Sequence, residues 1–470
     1  MLTGNVNSLL KKDYPLWLFI LLPAITMLLG WGLRGFIGGG PFGAMIPGAM
    51  VMLVICMLLD ISFSVAAVMV VFGTAGIGMG GEMTYGQTLG FLRNPDTVWW
   101  GTCGTTVKGG IWGLVGGTFI GLGLLHRGIK IKTIITALLL FLVGFVIGLK
   151  LINDPKLIYF SDPVNKPRQE SWAGLLFGAI TLLTWLKVKT NSAAFRLVIR
   201  FAGYGLVGGA LGFGLGAFWL VLGFHLGKNS WITEWWKLME FSFGFIMGGF
   251  FGYAAWLSRR GIQSEADDKM TSTLNISFIK QLIVVLIVGC FIYLVIPLID
   301  PFVEARSSAD SVMLVVLRTI ARVLINYTFI GSLLIIIALR WPFVAFQMAI
   351  TLTFSHTVID LVEDLGPPRT IVFSPLMCAC IVLLASILVS LLVAAYQRKQ
   401  AVLKSMFLIL VWSTVAVAIA RMFVQGQFQK AADNSFFKFI IADMLVFNFF
   451  MIAAIVVSIF TVRRISSVKI

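Results

Sequence analysis

Charge is what this chain has least of. Asp, Glu, Lys and Arg make up 12% of its 470 residues, and only seven of those are glutamate. A soluble domain of this length needs far more, so that class is excluded. Histidine is equally scarce, with three residues far apart, which argues against a metal centre. The five cysteines, Cys56, Cys103, Cys290, Cys378 and Cys380, make neither a zinc spacing nor a disulfide framework and read as small hydrophobes. No G-x-x-x-x-G-K-[ST] loop is present and the polar stretches are short, which excludes an ATP motor on this chain. No G-x-S-x-G motif supports a hydrolase triad. Alternating ten-residue segments are absent, which argues against a transmembrane β-barrel.

Hydrophobic residues dominate instead, at 59% with a mean hydropathy of +0.97. Apolar runs of roughly 18 residues or more recur along the whole length, the signature of an all-α polytopic membrane protein. About fourteen spans are expected, near 15–33, 43–60, 62–92 (interrupted), 103–125, 131–150, 171–187, 200–225, 235–258, 277–298, 312–339, 342–362, 371–396, 404–424 and 439–462. The first run follows Lys11 and Lys12 but is long and has no small-residue cleavage site, so it reads as a first span rather than a signal peptide.

The net charge of +16 does not point to nucleic acid, because the basic residues cluster between apolar runs. The positive-inside rule explains them. It makes the loops around 127–132, 187–200, 259–269, 340, 398–404 and 463–469 cytoplasmic, with both termini. Four segments follow: a cytoplasmic start (1–14), a glycine-rich transmembrane core (15–260), a cytoplasmic linker (261–275) and a second transmembrane bundle (276–470). The core holds 42 of the 48 glycines, so close helix packing is expected there and ordinary scaffold or dimerisation helices beyond it.

Three glutamates share one glycine ladder: Glu82-x3-Gly86-x3-Gly90, Glu170-x3-Gly174-x3-Gly178 and Glu240-x3-Gly244-x3-Gly248. Carboxylates in apolar spans are expensive and mark function, here binding a cation, exchanging a proton or contacting a polar solute. A second pattern repeats as Trp31-Gly-Leu-Arg-Gly35, Trp112-Gly-Leu-Val-Gly116 and Tyr204-Gly-Leu-Val-Gly208. Its spacing suggests three-span units of opposite orientation, as in inverted-repeat transporters. The glycine runs 38–43 and 78–81 interrupt apolar sequence and suggest broken helices.

Arg34, Lys108, Arg318 and Arg322 are candidate anion-binding cations, the last two on one helix face. Arg421 suits the same role or an interfacial position. His356 and Asp360, four apart, could relay protons. Trp99-Trp100 and Trp235-Trp236 read as interface anchors. Residues 38–49 with Gly80–Met83 are similar to the glycine- and proline-rich loops of chloride channels over a few positions only. The other patterns of that family are absent, as are sugar-porter and multidrug signatures, and no family follows.

Together these features point to a secondary transporter of a small polar or anionic solute, driven by H⁺ or Na⁺, and more an uncatalytic permease than an enzyme. Its expected partners are that solute, the coupling cation, the bilayer and a second copy of the chain, with no cofactor, metal or nucleic acid. The alternatives are a flippase or membrane-embedded transferase for a lipid-linked substrate, and a structural or channel subunit of a membrane complex.

Overall fold

The computed structural model describes residues 14–162, 168–227, 232–265, 278–304, 311–366, 372–397, 401–428 and 436–465. The expected N-terminal segment 1–13 and most of the expected linker, 266–275, lie outside them, as do parts of the basic loops at 269, 398–399 and 466–469. The described residues are helices joined by short turns, with no strand: α1 (Leu16–Ile37), α2 (Gly40–Leu58), α3 (Phe63–Gly80), α4 (Gly86–Gly90), α5 (Val98–Leu125), α6 (Ile131–Gly148), α7 (Trp172–Lys189), α8 (Ser192–Leu226), α9 (Trp235–Glu265), α10 (Phe278–Cys290), α11 (Ile296–Glu304), α12 (Val312–Ile325), α13 (Tyr327–Arg340), α14 (Pro342–Leu365), α15 (Pro375–Tyr396), α16 (Val402–Val424), α17 (Phe436–Lys438) and α18 (Leu445–Arg463).

Twelve helices are long and apolar enough to cross a bilayer, and α12 with α13, bent by 52°, can act as a thirteenth span. The expected count of fourteen is therefore too high. The apolar stretch 277–298 becomes a 13-residue helix that runs into a π-helical turn, too short to span by itself. The expected third span, 62–92, is also divided. It ends as α3 at Gly80 and resumes only as the five-residue α4.

Helices α2 and α3, apolar on every side, lie at the centre, as all-round hydrophobicity requires. Around them, antiparallel pairs close to backbone contact. A Cβ on Gly109, Gly113 or Gly117 of α5 would strike the carbonyl of Gly209, Gly205 or Phe201 on α8. Gly244, Gly248 and Gly252 of α9 lie likewise against Met27, Pro23 and Phe19 of α1, and Gly144 and Gly148 of α6 against Phe177 and Ala173 of α7. Such spacing admits Cα–H···O contacts, worth roughly 0.5–1 kcal/mol each, and shape-matched dispersion where no hydrophobic effect drives association. Two of the three glutamate ladders, through Gly174/Gly178 and Gly244/Gly248, are therefore packing seams. The third is not: nothing approaches Gly86 or Gly90.

The same contacts place the basic loops. Trp185 reaches the Thr133 carbonyl, so 127–132 and 187–200 lie at one end, because the α6/α7 hairpin returns the chain there. Arg200 donates to the Leu257 carbonyl, Lys404 to those of Val462 and Ile465, and Trp17 packs on Phe460, which brings 256–260, 401–404, 460–465 and the start of α1 to that end.

Gly113→Ala is expected to destabilise the detergent-solubilised protein by about 1–3 kcal/mol through overpacking, whereas Gly203→Ala, whose Cβ meets open space, should be neutral or stabilising. Thermal unfolding checks both; equal midpoints for the two variants would remove the seam argument.

Candidate functional site

The C-terminal ends of α1 and α3 and the bend between α12 and α13 are brought together. α1 ends before Gly38-Gly39, α3 ends at Gly80-Gly81, and α12 meets α13 at Asn326. A Cβ at Gly81 would strike Gly40 and Pro41, and one at Gly78 would strike the Tyr327 ring, so the three breaks are in direct contact. Broken helices expose backbone groups that a bilayer cannot satisfy.

Side chains from distant elements satisfy them. At the N-terminus of α13, Glu82 accepts from the Tyr327 N–H at 2.6 Å and from Asn326 Nδ2 at 2.9 Å, while Asn326 itself caps Thr328. A carboxylate there also gains from the helix dipole. Lys108 donates to Thr84 O at 2.6 Å in the turn after α3, and at the C-terminal ends the donors are the indole of Trp112 to Ile77 O at 2.8 Å and Arg421 to Phe36 O. Here the Arg421 cation opposes the negative end of the dipole. His356 Nε2 lies 3.1 Å from Gly39 O.

The turn 81–86 gathers all three ladder glutamates. Glu82 belongs to it. Glu170 reaches it through Lys108, whose ammonium also donates to Thr84 O and, at 2.8 Å, to Thr88 Oγ1. The Lys108–Glu170 pair is 2.7 Å long and each side chain is 1% exposed. Glu170 accepts in addition from Ser161 Oγ and the Phe160 N–H. With three ammonium donors used and both carboxylate oxygens engaged, this pair is a structural clamp between α5 and the segment before α7. Glu240 accepts from Trp236 Nε1 at 2.9 Å and Lys237 Nζ at 2.7 Å, sits directly over Gly35, and faces the Tyr85 hydroxyl.

Arg34 differs. It is 5% exposed, donates through Nη1 to the Tyr85 hydroxyl, and lies over the rings of Tyr85 and Trp112 at 5.1 and 5.3 Å. Its Nε is buried without a hydrogen-bond partner, and among the described residues it forms no salt bridge. The surrounding rings form a box: Trp31 meets Trp112 edge to face at 4.8 Å, Phe213 stacks on Phe243, and Tyr85 stacks on Trp236.

The remaining candidates lie apart. Arg318 and Arg322 share a helix face but not an anion: Arg322 pairs with Asp154 at 3.4 Å and Arg318 lies over Phe302. Asp154 stands in a small cleft with Lys150, Arg322 and Asn326, next to the Glu82 contact. Burial alone would raise its carboxyl, but Lys150 and Arg322 outweigh that and hold it below the ordinary aspartate range. Asp360 is engaged by Arg421 at 2.9 Å, and Asp364 by the same guanidinium at 2.6 Å. His356 and Asp360 thus serve different partners, and half-buried Arg421 ties the end of α16 to Asp360, Asp364 and the Phe36 carbonyl.

Sequence reasoning missed Tyr85, Asn326 and Asp364, and took Trp236 for an anchor. The Asn–Tyr–Thr run at 326–328 carries a helix-capping signal inside an apolar run, which could have found the α12/α13 break. No protein family, no curated protein and no solved structure matches this chain.

Lys108→Met and Glu170→Gln should each destabilise by about 3–5 kcal/mol by stranding a buried charge, while Lys108→Met/Glu170→Gln together should cost clearly less than their sum. A double-mutant unfolding cycle that proves additive would deny the coupling.

Proposed function

We propose that this protein is a secondary transporter for a small polar or anionic solute, with H⁺ or Na⁺ coupling centred on Glu82. The observation that carries this reading is the meeting of the ends of α1 and α3 with the one bent span, α12/α13, where Glu82 holds the N-terminus of α13. Interrupted helices that present their ends to a buried polar cluster suit a site whose occupant replaces backbone partners. Protonation of Glu82, or a cation beside it, weakens the carboxylate's hold on α13 by up to about 2 kcal/mol, enough to bias a hinge at Asn326.

Two further features support the reading. The repeated Trp-Gly-Leu-x-Gly segments of α1 and α5 run in opposite directions and meet through Trp31 and Trp112, as a pseudo-two-fold relation between inverted repeats requires. The basic loops share one end with the start of α1 and the end of α18, which favours both termini in the cytoplasm.

The test is uptake into proteoliposomes of labelled carboxylates, amino acids and sugars under an imposed pH or Na⁺ gradient. Gradient-driven uptake of one class is expected, falling about tenfold in Glu82→Gln, equivalent to roughly 1.4 kcal/mol. Uptake indifferent to both the gradient and Glu82→Gln would overturn coupled transport. Headgroup exposure of a labelled lipid, independent of any solute, would favour lipid flipping instead.

A further inference from the structure

We infer that Arg34 and its aromatic box form the binding site for a small organic monocarboxylate. This deepens the transporter reading by naming the solute's class, and it rests on that reading for its purpose but not for the binding itself.

The argument begins with charge. Two other buried cations and one half-buried cation each hold a carboxylate: Lys108 has Glu170, Lys237 has Glu240, and half-buried Arg421 has Asp360 and Asp364. Arg34 has none among the described residues, and of its five N–H donors Nε is buried and unpartnered. The faces of Tyr85 and Trp112 offset part of the deficit. Cation–π contacts recover only part of the cost of burying an unpaired ion. The remainder is the drive for an external anion.

Chemistry narrows that anion. One unpaired cation calls for one negative charge. A dianion would leave an excess beside Glu240, which already faces Tyr85. The planar edge of a guanidinium matches a carboxylate through two parallel hydrogen bonds, which a spherical halide cannot make. The rings of Trp112, Phe243 and Trp236 give an apolar body something to pack against.

Geometry favours a free solute over a lipid headgroup. The box is walled by α1, α5, α8 and α9, and the α1/α9 and α5/α8 seams are closed backbone to backbone, leaving no lateral slot for acyl chains. Exposed backbone at Gly35, beside Arg34, and at Gly86, beside Tyr85, flanks the site instead. Tyr85, hydrogen-bonded to Arg34 and facing Glu240, is the group a carboxylate would displace.

The test is calorimetric titration of the purified full chain in detergent with sodium propionate, sodium chloride and sodium phosphate at matched ionic strength. Saturable propionate binding is expected, with chloride and phosphate at least about tenfold weaker. Arg34→Gln should abolish it. Arg34→Lys, which keeps the charge and loses the fork, should weaken it about tenfold and keeps the test open if Arg34→Gln does not fold. Equal binding of the three anions, wild-type propionate affinity in Arg34→Lys, or displacement of propionate by phosphatidylglycerol in mixed micelles would overturn the assignment. Propionate binding without propionate flux in proteoliposomes would leave this site standing and remove the transporter reading. Gradient-driven flux of a solute, unchanged in Arg34→Lys, would do the reverse.

Discussion

A backbone that breaks inside an apolar medium must find its hydrogen bonds within the protein, and that requirement organises this molecule. The helix ends at 38–40 and 81–85 and the bend at 326 each leave backbone polar groups that need partners. The chain meets the need with charged and aromatic side chains brought from far away in sequence. Glu82 serves the start of α13; Lys108 serves a carbonyl in the turn after α3, and Trp112 and Arg421 serve carbonyls at the ends of α3 and α1. Each sign of charge sits at the helix end whose dipole favours it. Most of the intramembrane ions are therefore accounted for by the architecture they hold open.

Glycine supplies the other half of the design. Along α5/α8, α1/α9 and α6/α7 it removes side chains, so that helices pack to their backbones and the walls are sealed. At Gly38, Gly80 and Gly81 it stops the helices, and Gly81 lets one interrupted turn lie directly against another. One residue type thus makes rigid walls and an irregular centre. That contrast separates a fixed frame from the α12/α13 joint, whose bend is held mainly by Asn326 and by a single carboxylate.

Against this background the charges sort themselves. Lys108 with Glu170 is saturated by hydrogen bonds and acts as a clamp. Lys237 with Glu240 and Arg421 with its two aspartates are neutralised locally. Glu82 is committed to a helix end that can move, and Arg34 is stacked on aromatic faces without a carboxylate. These two are linked by the short turn from Glu82 to Tyr85, where the proposed coupling and recognition would act.

The membrane class, the positions of most spans, the glycine seams and the break near Gly80 were legible in the sequence, because each is a local matter of hydropathy, propensity or i,i+4 spacing. The pairing of Lys108 with Glu170, 62 positions away, was not, nor the division of His356 and Asp360 between different partners. The span count was overread because a hydropathy run does not reveal a π-helical turn or a capped bend within it. What composition and periodicity decide is which segments leave water and which faces come close. Which buried charge meets which, and which one is left over, depends on helices meeting across the bundle. Coulombic and hydrogen-bond partners are chosen by distance in space, and only tertiary structure sets that distance.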